Sequence, residues 1–95
     1  MNQRMAFIDT LELARKRGMP TLPGTELGLA HLESMFDRID EPHEFSEAKL
    51  GRWLGWAQCA LVAANCGVTL EDMKELNRKW AAEQRGNDLE GGDDA

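Results

Sequence analysis

Lys49-Leu50-Gly51-Arg52-Trp53-Leu54-Gly55-Trp56-Ala57-Gln58-Cys59-Ala60-Leu61-Val62-Ala63-Ala64-Asn65-Cys66 is the stretch that decides the fold. Ser46 precedes it with N-cap chemistry, and Gly67 follows as a natural C′ residue, so a helix is expected over 46–66. From Trp53 through Cys66 no residue is charged. A surface helix shows a polar face, whereas one that is apolar all round is buried on most sides. The reading is therefore a central, buried third helix. Gly51, Gly55, Cys59 and Ala63 recur every four residues and form one ridge of small side chains. A glycine inside a helix costs about 1 kcal/mol relative to alanine, which close approach of another backbone would offset. Two versions stay open: packing against a neighbouring helix of the same chain, or a homodimer interface made by Gly51, Gly55, Cys59 and Ala63 with Trp56. Gly55→Leu is expected to disrupt packing by overfilling the ridge, at a cost of about 1–3 kcal/mol or more.

Working outward, three more helices appear. Met5, Ile8, Leu11 and Leu13 or Ala14 give a helical period over 4–17, with Arg15, Lys16 and Arg17 in the last turn and Gly18 as its stop. Pro20 and Pro23 with Gly24 make the next segment a connector. Thr25 is expected to cap a second helix over 25–39, with Leu29, Leu32, Phe36 and Ile39 in one stripe and Pro42 beyond its end. Thr69-Leu70-Glu71-Asp72 resembles a capping box opening a fourth helix over 69–85, in which Leu70, Met73, Leu76 or Asn77, and Trp80 keep the period. The expectation is an all-α single domain, 1–86, of about four helices. The Gly- and Asp-rich stretch 87–95 is expected to be disordered.

At 95 residues the chain is one domain at most, and marginal enough that oligomerisation would help it. Its net charge of −6 is concentrated in residues 25–45 and in the tail. That argues against a general nucleic-acid binder, although Lys74, Arg78, Lys79 and Arg85 keep a DNA-binding helix-turn-helix open as an alternative. Cys59 and Cys66 would sit roughly 10 Å apart along one helix, too far for a disulfide, and read as buried thiols of a reducing cytoplasm. The N-terminus has no signal-peptide pattern, and the uncharged run is marginal for a membrane span, so the protein is expected to be soluble.

Catalysis finds no support. His31 and His43 lie apart with no motif around them, no Ser or Cys stands beside a base, and the spacing of Glu41, His43 and Glu44 fits no metal signature. The expectation is a non-enzymatic protein with no catalytic residue, metal or cofactor. Lys49 and Arg52 stand at the cation-disfavoured end of the third helix. They are expected either to pair with Asp37, Asp40 or Glu41, or to present charge to a partner. Together with Trp53 and Gln58 they form the candidate ligand- or partner-binding set, with Trp56 flanking it. A structural amide is the simpler role for Gln58.

Lys49, Arg52-Trp53-Leu54-Gly55 and Gln58, followed by Gly67 and the Thr69-capped helix, carry a Lys-x-x-Arg-Trp-Leu-Gly-x-x-Gln motif. This pattern resembles that of small helical proteins encoded by phages and prophages, a group with no assigned chemistry. The resemblance covers about a third of the chain and says nothing of residues 1–45. It implies mobile-element origin, action in the bacterial cytoplasm, and binding to a host protein, for instance a host-defence factor. A homodimer is expected. The alternatives are a sponge for a small anionic nucleotide signal, which Lys49, Arg52 and the two tryptophans would suit, and a DNA-binding regulator.

Overall fold

The computed structural model describes residues 1–39 and 45–88, with side chains up to Ala82. Among these residues there are four helices and no strands: α1 Gln3–Lys16, α2 Leu29–Ile39, α3 Glu47–Ala63 and α4 Leu70–Asp88. The loop residues Asp40 to Glu44, and the expected tail from Leu89 onward, lie outside the described residues.

Side-chain links fix the helix directions. Gln3 donates to the Glu47 carbonyl at 3.0 Å, and Gln58 reaches Thr10 at 3.2 Å, so α1 and α3 run parallel. Arg4 donates to the Ile39 carbonyl at 3.2 Å, and Arg15 pairs with Glu33 at 3.0 Å, so α2 runs against both. Trp80 donates to Asp9 at 2.8 Å and Asn77 meets Gln58, so α4 is antiparallel to α1 and α3 as well. Both α1 and α3 touch all the other helices. Phe7, Thr10, Leu32 and Leu61 are the largest fully buried side chains, with Leu54, Ala57, Met73 and Trp80 packed around them. Phe7 also stacks on Phe36, ring centres 6.0 Å apart.

The local stops and starts follow the sequence where the chemistry is local. Ser46 accepts from the Lys49 amide at 3.1 Å. Thr69 and Asp72 complete the reciprocal capping box at 2.9 and 3.1 Å. Gly18 takes the left-handed conformation (φ +72) that ends α1. Differences appear at three other ends. Asn2, not a residue nearer Arg4, caps α1 by accepting from the Met5 amide at 3.1 Å. At the end of α3, Asn65 holds the left-handed position (φ +60), so the helix stops at Ala63 before Cys66 and Gly67 are reached. And α4 continues past Gly86 to Asp88.

The start of α2 is the largest correction. Thr25 does not cap it; its hydroxyl donates to the Leu22 carbonyl at 2.8 Å and accepts from the Leu27 amide, holding a turn. The helix opens at Leu29 because the connector itself supplies the acceptors. The Leu29 amide bonds the Pro20 carbonyl at 2.8 Å, and the Ala30 amide bonds that of Thr21 at 3.2 Å. That approach is possible because residue 28 is glycine. A Cβ there would strike the Thr21 carbonyl oxygen and lie 2.6 Å from the Leu22 Cβ.

The expected core stripes also shift. On α1 the buried set is Ala6, Phe7, Thr10, Leu11 and Ala14, with Met5 and Ile8 half-buried beside it. On α4, Leu70 is 61 % exposed. On α3, Leu50, Leu54, Ala57, Gln58, Ala60 and Leu61 face inward, but Gly55, Trp56, Cys59 and Ala63 are exposed. The apolar sequence of α3 therefore does not mean burial on all sides. Within this chain the ridge is open at Gly55, where a Cβ meets nothing within 4 Å, and covered at Gly51, where a Cβ would lie 2.6 Å from the Gln3 side-chain oxygen. Gly55→Leu has room within the chain, and Cys59 is an exposed thiol, while Cys66 is half-buried.

Candidate binding faces on the third helix

Because α3 lies between α2 and α4, its exposed residues open onto two different hollows. The first lies between α3 and α4. Gly55, Cys59 and Ala63 make its small-residue floor; Val62, Leu70 and Met73 add carbon, and Lys74 and Asn77 sit on the α4 side. Its volume is about 400 Å³. Three of the proposed interface residues, Gly55, Cys59 and Ala63, thus share one groove. Gly51 and Trp56 do not line it, and Trp56 faces the other hollow.

The second hollow, about 450 Å³, lies between α3 and α2. Arg52, Trp53 and Trp56 come from α3; His31, Ser34, Met35 and Arg38 come from α2, and Glu26 from the turn before it. Arg38 lies over the Trp53 ring, 6.0 Å from its centre. Trp56 is 46 % exposed, and its indole N–H donates to the Glu26 carbonyl at 3.0 Å. Arg52 makes no hydrogen bond or ion pair with any described residue, so the expected pairing with Asp37 is not formed; Asp40 and Glu41 lie outside the described residues.

The candidate ligand set is therefore split three ways. Arg52 and Trp53 share the α2–α3 cleft. Lys49 turns toward the rings behind it, 4.6 Å from the centre of Phe45 and 5.7 Å from that of Trp53, and does not line the cleft. Phe45 meets Trp53 edge-on at 4.6 Å. Gln58 is spent on structure: its amide N–H groups donate to Thr10 at 3.2 Å and Asn77 at 2.9 Å, and its oxygen accepts from Asn77 at 2.9 Å. Thr10 in turn donates to the Ala6 carbonyl at 2.8 Å. A buried amide needs such partners, and this network joins α1, α3 and α4. The α2 half of the cleft, His31 and Arg38, escaped the sequence reading, since periodicity places them on a solvated face and nothing local links them to Trp53.

The described cations of α4 are occupied. Lys74 lies 3.5 Å from Glu71, Arg78 2.7 Å from Glu75, and Lys79 3.4 Å from Asp9. The hydrogen bond and charge of Glu75 raise the Arg78 pKa above its ordinary value. Among the described residues, no three of His, Cys, Asp and Glu gather as a metal site. No described helix is long and apolar enough to cross a membrane.

No protein-family model, curated protein or solved structure matches this chain.

Proposed function

We propose that this is a non-enzymatic accessory protein of the phage type that acts by docking a host protein in the α3–α4 groove. The observation that carries it is Gly55. It sits in the middle of a 17-residue helix, where glycine costs about 0.5–1 kcal/mol relative to alanine. A side chain there would meet open space, so nothing within the chain uses its absence. Stability forgone at an exposed position with no internal use, in the floor of a groove, supports the reading of a surface kept for a partner. Exposed Leu70 lines the same groove, beside Val62 and Met73, and adds to its apolar surface.

The occupant this groove fits is the apolar face of an amphipathic helix. Its floor of Gly55, Cys59 and Ala63 lets a third backbone come close, while Val62, Leu70 and Met73 offer the carbon that such a face buries. Two antiparallel helices give it a trough rather than a closed hole. The paired cations of α4 weigh against the DNA-binding alternative, which needs a basic face free for phosphates.

Cys59 supplies the test, because it is exposed in the floor of the groove. A photoreactive maleimide on Cys59, in a Cys66→Ala background, is irradiated in bacterial extract. The expected result is a discrete crosslink to one other polypeptide, suppressed by unlabelled wild-type protein and by nothing else added at the same concentration. A crosslink only to a second copy of this chain overturns the host-partner reading in favour of the homodimer. Diffuse labelling that the unlabelled protein does not suppress overturns both.

A further inference from the structure

The α2–α3 cleft adjoins the groove along the exposed stripe of α3, but it shares no lining residue with it and has a different chemistry. Its walls combine two guanidinium groups, an imidazole and two indoles. Arg52 has no partner among the described residues, and Arg38 has only the Trp53 ring. Arg15, Lys74, Arg78 and Lys79 each pair with a carboxylate, whereas Arg38 and Arg52, on neighbouring helices, line one cleft with no ion pair to a described residue. Unpaired guanidiniums at a hollow are anion seats, because their planar donors match phosphate or carboxylate oxygens two at a time.

The two ends of the cleft differ. Since α2 and α3 are antiparallel, Arg38 stands toward the N-terminal end of α3, over Trp53, while His31 and Glu26 stand toward Trp56. Trp56 is exposed, and its N–H is already satisfied by the Glu26 carbonyl, which anchors that edge of the ring. An anchored, half-exposed indole is a stacking platform that needs little further ordering when a flat ring lands on it. Glu26, at the same end, puts a negative charge near the Trp56 side of the cleft, away from Arg38, so phosphate is favoured at the arginine end.

We infer that the α2–α3 cleft binds a nucleoside phosphate, with the phosphate on Arg38 and Arg52 and the base on Trp56. A volume of about 450 Å³ suits one small molecule. Long polyanions are disfavoured because the negative charge of the whole chain repels them beyond the cleft, whereas the phosphate of a single nucleotide lies at the arginine end. An acidic peptide would satisfy the arginines but leave Trp56 without its complement.

Quenching of tryptophan fluorescence on titration with AMP provides the test, at low salt, with adenosine, inorganic phosphate and an acidic peptide as separate arms. The expected result is saturable quenching by AMP with an apparent Kd at or below about 1 mM, and binding of adenosine and phosphate alone at least about tenfold weaker. Arg52→Gln should weaken AMP at least about tenfold while leaving adenosine unchanged; Trp56→Ala should weaken AMP and adenosine alike, read by calorimetry. Arg78→Gln, on the far helix, should leave both unchanged. Circular dichroism matching the wild type shows that each variant is folded. Absence of saturation by AMP, AMP binding that Arg52→Gln leaves intact, or tighter binding of the acidic peptide than of AMP each overturns the inference. The cleft shares no lining residue with the groove, whose crosslink from Cys59 therefore reports on a separate set of side chains.

Discussion

Replacing Gly55 by alanine distinguishes an open ridge from a packed one by sign alone. Residue 55 is the ninth of the seventeen residues of α3, so both of its backbone dihedrals are fully fixed on folding. Alanine removes the extra unfolded-state freedom of glycine, a gain of about 0.5–1 kcal/mol at a helix interior. Packing adds no opposing term, because the new methyl carbon has no neighbour within 4 Å. For a domain of this size, that gain raises Tm by about 2–8 °C. A ridge packed against another backbone would instead meet the methyl as an overfilled contact, costing about 1–3 kcal/mol and lowering Tm by about 4 °C or more. Thermal unfolding followed at 222 nm, with wild type and variant at the same dilute concentration, reads the difference. Because a self-associating protein melts higher at higher concentration, the scan is repeated tenfold more concentrated, where Tm should not move by more than about 1 °C for a monomer. A fall in Tm on Gly55→Ala would refute the open-ridge reasoning, and a concentration-dependent fall would point to a second copy seated on the ridge.

Gly28 should respond in the opposite direction. Gly28→Ala drives a Cβ into the connector backbone at Thr21 and should lower stability by about 1–3 kcal/mol or more, measured by urea denaturation; an unchanged midpoint would show that the α2 start does not depend on that approach. The Gln58–Asn77 amide pair should behave as a coupled unit. Gln58→Leu and Asn77→Leu singly each strand a polar partner at a cost of about 1–3 kcal/mol, and the double variant should recover at least about 0.5 kcal/mol of the summed loss; strict additivity would deny the coupling. Thr69→Ala removes the hydroxyl that accepts from the Asp72 amide and should cost about 1 kcal/mol, with amide exchange quickening in the first turn of α4; no change in either would mean that the capping box contributes nothing.

What the sequence made legible depends on how far each determinant reaches. Ser46, Gly18 and the Thr69–Asp72 box act within three or four residues, so their roles follow from local pattern. The start of α2 does not. Gly28 answers to carbonyls seven or eight residues earlier, folded back over it, and a threonine four residues before Leu29 looks like a cap whether or not it is one. Asn65 anticipated Gly67 as the stop of α3 because asparagine also tolerates the left-handed conformation, and the nearer candidate ended the helix.

The apolar run of α3 misled for another reason. Gly, Ala and Cys are small enough to sit on either side of a helix, so a stretch rich in them carries weak information about which side is wet. The same spacing that marked positions 51, 55, 59 and 63 as one face was sound; what it could not say was that Gly55, Cys59 and Ala63 look outward. For the cleft, the α3 half was visible as Arg52 and Trp53, whereas Arg38 and His31 arrive through the antiparallel packing of α2. Lys49 and Gln58 share the sequence neighbourhood of that site but not its space. One serves the aromatic pair of Phe45 and Trp53, and the other ties α3 to Thr10 and Asn77.

The central claim, that the exposed groove of α3 exists to receive a partner, is tested most directly by the affinity of Gly55→Leu for the polypeptide crosslinked through Cys59. Leucine is a better helix former than glycine and has room within the chain, so the variant should be at least as stable as wild type while filling the groove floor. Titration calorimetry should then show binding weakened at least about tenfold, or about 1.4 kcal/mol, with Tm unchanged or raised. Unaltered affinity in a variant that melts at or above the wild-type temperature would contradict the account.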